Sequence, residues 1–63
     1  MCNLNTAPVE EIAALPGVGL RRAYDLMLWR PYRSWFEVEQ VPSLEIEDVS
    51  ALRRAGAVID LPH

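Results

Sequence analysis

The segment Leu15-Pro16-Gly17-Val18-Gly19 constrains the fold more than any other part of the sequence. A proline and two glycines this close together end any helix that reaches them, and glycine alone takes up positive φ without strain. Apolar residues recur at helical spacing on both sides, with Ile12 and Leu15 before the turn and Ala23, Leu26 and Met27 after it. Two helices must therefore meet at this corner.

The helix before the corner is expected over TAPVEEIAAL, with Thr6 as N-cap, Pro8 in the first turn, and Glu10 and Glu11 favourably placed against the dipole. A second helix runs from Gly19 to about Trp29 or Arg30, because Pro31 disfavours helical geometry at the residue before it. Ser34-Trp35-Phe36-Glu37 has the form of a capping box, which predicts a third helix from Trp35 to near Gln40. After the turn Val41-Pro42-Ser43-Leu44, a fourth helix covers about Ile46 to Arg54, with arginines in its last turn and Gly56 at the C′ position. Residues 57–63 form an extended tail able to close the core. No other segment has strand periodicity over a useful length.

EIAALPGVGLRRAYDL and EVEQVPSLEIEDVSAL align without a gap, so that Leu15-Pro16-Gly17-Val18-Gly19 faces Val41-Pro42-Ser43-Leu44-Glu45. Each unit is helix, tight turn, helix, and neither could bury its apolar face alone. The expectation is one all-α domain over residues 1–63. Four main short helices form two hairpins, at about 7–30 and 35–55, related by a pseudo-twofold axis. The predicted core is Leu4, Ile12, Leu15, Val18, Ala23, Leu26, Met27, Val38, Val41, Leu44, Val49, Leu52 and Ile59. With 63 residues that core is thin, since a domain of this size buries only about 60 % of its unfolded surface.

Several function classes are excluded on composition. No apolar run approaches the roughly 18 to 20 residues of a membrane span, and MCNLNTA lacks the regions of a signal peptide, so a cytoplasmic location is expected. One cysteine, Cys2, and one histidine, His63, can assemble neither a disulfide nor a metal site; both read as terminal residues without a role. With them and surface acids, no nucleophile–base pair or carboxylate dyad forms, so neither catalysis nor a cofactor is expected.

The net charge of −3 argues against a nucleic-acid partner, but the distribution of that charge does not. Residues 16–34 hold Arg21, Arg22, Arg30 and Arg33 against Asp25 alone, whereas the rest of the chain holds two arginines against eight acids. The basic part coincides with the glycine corner. Gly17 and Gly19 let a ligand approach the backbone, and the first N–H groups of the following helix lack intrahelical partners and carry partial positive charge. A phosphate oxygen suits such a corner, with Arg21 and Arg22 able to pair with the same or the next phosphate. These contacts would involve the nucleic-acid backbone and read no base.

NLNTAPVEEIAALPGVGLRRA, followed by RPYRSWFEVEQVPSL, resembles the tandem helix-hairpin-helix domain of the bacterial DNA-uptake (competence) protein ComEA and its relatives. The resemblance covers Asn3 to about Ile59, and its most specific parts are NLNTA, LPGVG with Ala23 four residues after Gly19, and RPYRS. It implies DNA-phosphate binding without regard to sequence at Gly17, Val18 and Gly19, with Arg21 and Arg22 beside them, in an accessory, uptake or repair-type module. In related hairpins a monovalent cation can sit on carbonyls that correspond to Ala13, Leu15 and Val18. The second hairpin departs from the pattern, because Ser43 and Glu45 stand where a functional hairpin has glycines. Glu45 places a carboxylate at a helix start, and Glu47 and Asp48 add to its repulsion of phosphate. DNA binding is therefore expected to be weak and salt-sensitive.

A second signal lies on the helix after the corner. Ala23, Leu26 and Met27 face the core, while Leu20, Tyr24 and Leu28 extend the apolar arc and Trp29 lies beyond it. Trp35 and Phe36 are adjacent and cannot both point inward. Leu20, Tyr24, Leu28 and Trp29 form the expected partner surface, for another protein or for self-association. The alternative to DNA binding is thus a protein-interaction or scaffold module that keeps the fold. A loop such as Pro31-Tyr32 covering these rings would remove that surface.

Overall fold

The computed structural model describes residues 2–61. These residues are mostly helical, in α1 (Val9–Ala13), α2 (Gly19–Trp29), α3 (Trp35–Glu39) and α4 (Ile46–Arg54). Two short strands, β1 (Cys2–Asn3) and β2 (Ala57–Val58), pair in parallel, with Cys2 opposite Ala57 and Asn3 opposite Val58. Ala57 and Val58, which open the expected tail, thus pair with the N-terminal segment, a partner that their own sequence does not reveal. Among the described residues, no helix is long and apolar enough to cross a membrane.

The first helix is shorter than expected, and Thr6 is not its cap. Thr6 is exposed, and the residue before α1 is Pro8, in extended geometry with no side-chain cap. The reason is a preceding turn. The Asn3 carbonyl accepts the N–H groups of Thr6 and Ala7, at 3.1 and 2.8 Å, so helical bonding begins only at the Pro8 carbonyl. The other boundaries follow local chemistry. Arg30 is extended before Pro31, the Ser34 hydroxyl accepts the Glu37 N–H, and Gly56 takes positive φ just after α4. The Glu37 carboxylate returns to the Arg33 N–H, one residue earlier than the usual capping box would place it.

Burial follows the internal repeat. Ile12, Val18, Ala23 and Leu26 are buried, and so are their counterparts Val38, Leu44, Val49 and Leu52. Both turns close with a hydrogen bond at matching positions, Val18 N–H to Leu15 carbonyl at 3.1 Å and Leu44 N–H to Val41 carbonyl at 3.0 Å. Leu15, Met27 and Ile59 are only partly buried, packed against the core. Cys2, Ala7, Tyr32 and Ala57 join it unexpectedly. Cys2 is therefore a core residue, not an idle terminal one, because β1 pairing carries it inward. Burial, reinforced by the negative charge of Glu11, pushes its thiol pKa up. His63 lies outside the described residues.

The asparagines of NLNTA hold the ends of the chain together. Asn3 Nδ2 donates to the Asp60 carbonyl at 3.0 Å. Asn5 makes a two-way bond with the backbone of Tyr32, donating to its carbonyl at 3.0 Å and accepting its N–H at 2.6 Å. Tyr32 is thereby drawn into the core, where its hydroxyl donates to the Leu26 carbonyl at 2.6 Å. That carbonyl lies in the last turn of α2, where the chain leaves the helix and carbonyls lose their intrahelical donors. Burial, only partly offset by nearby Arg30, raises the Tyr32 pKa to about 12.

Candidate nucleic-acid interface

Gly17 and Gly19 have φ of 79° and 73°, and an added Cβ at either would meet no atom within 4 Å. Both glycines are exposed. Their need for glycine is conformational, and the space above them is open. Val18 between them is right-handed and its side chain is buried, which anchors the corner to the core. A right-handed residue followed by a left-handed one turns successive N–H groups toward one side, the arrangement of an anion-binding concavity. The Val18 N–H is engaged with Leu15, while those of Gly17 and Gly19 have no acceptor among the described residues. The Leu15 carbonyl, one of three that the resemblance assigns to a cation, already accepts that Val18 bond.

The arginines divide into two kinds. Arg21 is exposed and makes no ion pair among the described residues. Arg22 is half-buried; its Nη1 donates to the Gly17 carbonyl at 2.8 Å, and its Nη2 lies 3.9 Å from Asp48 Oδ2. It thus braces the corner through the Gly17 carbonyl. Arg30 donates to the Ala7 carbonyl at 2.7 Å, so this member of the basic stretch fastens the N-terminal segment instead of facing outward. Arg33 remains exposed. Linear counting of charge missed this division because it cannot tell a guanidinium bound to carbonyls from one in solvent.

The second corner has a different backbone. Among the described residues positive φ occurs only at glycines, so neither Ser43 nor Glu45 is left-handed. Glu45 is extended at the entry to α4, and its N–H donates to Asp48 Oδ2 at 3.0 Å. The same oxygen faces Arg22, so the two corners are joined through Gly17 carbonyl, Arg22, Asp48 and Glu45 N–H. The acids of this corner are thus partly structural, while Glu45 and Glu47 remain exposed.

On α2, Leu20, Tyr24, Leu28 and Trp29 are 60, 58, 76 and 53 % exposed, so none of them is a core residue. Phe36 is exposed as well, whereas Trp35 is half-buried beneath the Arg53 guanidinium, 5.2 Å from its ring centre. Tyr32 turns into the core, and the Pro31-Tyr32 loop beside Trp29 leaves that ring 53 % exposed. Trp29, Pro31, Tyr32, Glu37 and Gln40 line an open groove of about 230 Å³. No group of three or more metal-binding side chains occurs among the described residues. In comparisons with known proteins, the chain matches no family model, no curated protein and no solved structure.

Proposed function

We propose that the chain is a tandem helix-hairpin-helix domain, its two units related by a pseudo-twofold axis, that binds DNA through backbone phosphates at the first corner. The observation that carries this reading is the open pair of left-handed glycines at the entry to the eleven-residue α2, with Arg21 exposed just beyond them. Gly17 and Gly19 supply backbone donors, and Val18 holds them in place from the core. Arg21 adds a charge-assisted contact, and Arg22 keeps the corner rigid and adds positive potential. No base is read, so binding is independent of sequence. The acidic second corner limits affinity. Titration of labelled duplex and single-stranded DNA at low and physiological salt tests the reading. Salt-sensitive binding of unrelated sequences with similar affinity supports it; no binding at low salt overturns it.

A second reading is favoured by the exposure of Leu20, Tyr24, Leu28 and Trp29. On that reading the domain is an interaction module, with these side chains as the partner surface. Loss of partner binding in Trp29→Ala, with DNA binding absent in the parent protein, distinguishes it from the first.

A further inference from the structure

The two halves of the repeat are opposite in charge at matching positions of their corners. Leu20 corresponds to Ile46, Arg21 to Glu47 and Arg22 to Asp48. One of these pairs already meets within the chain, Arg22 with Asp48 at 3.9 Å. The other two pairs remain outside. Leu20 and Ile46 are 60 and 72 % exposed, and Arg21 and Glu47 are exposed with no ion-pair partner among the described residues.

We propose that this face takes a second copy of the chain, in a closed twofold dimer. The first corner of each copy lies against the second corner of the other. In the proposed pairing Arg21 of each copy faces Glu47 of the other and Leu20 faces Ile46, so that each apolar side chain gains cover and each charge gains a partner. A twofold interface requires that kind of self-complementarity, and the inverted charge of the repeat supplies it. Exposed ion pairs are screened by salt, so the dimer is salt-sensitive. The inference does not rest on DNA binding and is tested without nucleic acid; because the dimer covers the first corner, dimerisation and DNA binding compete for it.

Sedimentation equilibrium at rising protein concentration is the measurement, on the parent chain, Arg21→Glu, Glu47→Arg, the double reversal and an equimolar mixture of the two single variants. Both positions are exposed, and circular dichroism verifies that each variant is folded. The parent should form dimers, and each single variant should associate at least about tenfold more weakly, because like charges then face each other. The double reversal and the mixture should both regain dimers, since each restores opposite charges across the interface. A parent that stays monomeric, assemblies growing beyond a dimer, single variants that associate normally, or a mixture that remains monomeric would each overturn the proposal.

Discussion

The Arg22 guanidinium lies 3.9 Å from the Asp48 carboxylate, and the two residues occupy the same position in the two halves of the repeat. Each also holds its own corner, Arg22 through the Gly17 carbonyl and Asp48 through the Glu45 N–H. Both side chains are partly exposed, so the ion pair itself is worth little. A double-mutant cycle on Arg22→Ala and Asp48→Ala should give a coupling of about 0.2–1 kcal/mol. Each single variant should lose more, about 0.5–1.5 kcal/mol, from its corner hydrogen bond. Urea denaturation measures all four proteins, and zero coupling would show that the ion pair itself adds no stability.

Gly17→Ala and Gly19→Ala should each destabilise the fold by roughly 1–2 kcal/mol through backbone strain, since no atom lies close enough to clash. If the corner holds phosphate, both should also weaken DNA binding more than Arg53→Ala, whose guanidinium sits over Trp35 at a distant helix end. Thermal unfolding and fluorescence anisotropy on the same samples separate the two effects. Folded glycine variants that bind DNA as the parent does would remove the phosphate role.

With one competent corner, log K should fall with log salt at a slope of about −2 to −4 on duplex DNA. Replacing Ser43 and Glu45 together by glycine should tighten binding. The change removes a carboxylate from the entry to α4, permits left-handed geometry there, and keeps the backbone N–H that Asp48 accepts. Unchanged affinity in a folded double variant would show that the second corner does not limit binding.

Tyr32 predicts an alkaline limit to stability. Its pKa is raised to about 12 by burial, so the folded state retains a proton that the unfolded state releases near 10. The resulting stabilisation is fully present below about pH 10 and is lost as the pH rises towards 12. Tyr32→Phe should cost about 1–3 kcal/mol at neutral pH, by leaving the Leu26 carbonyl without its donor, and should flatten the alkaline decline. Denaturant titrations at several pH values check both effects. An unchanged alkaline slope in the variant would assign the decline to other groups.

Trp29→Ala should change folding stability by less than about 1 kcal/mol, because the ring is 53 % exposed. If Trp29 anchors a partner surface, the same change should weaken association by on the order of 2 kcal/mol. In a Trp35→Phe background, red-shifted emission from Trp29 is expected. Blue-shifted emission with loss of folding would place the ring in the core.

Local chemistry and periodicity determined the helix order, the two turns and most of the core. Prolines 16, 31 and 42 and the glycines break helices through backbone geometry alone, which acts within a few residues and can be read from them. The repeat likewise predicted which positions would be buried in both halves, because neither half has enough apolar surface to stand by itself. What depended on residues far apart in the chain was decided only in three dimensions. The pairing of Cys2 with Ala57, the clasp of Asn5 on Tyr32, and the engagement of Arg30 with Ala7 carry no local signature. The candidate site divides along the same line. Its glycines were legible because positive φ is a property of one residue. The separation of exposed Arg21 from bracing Arg22 was not, because it depends on which carbonyl and which carboxylate the fold brings within reach.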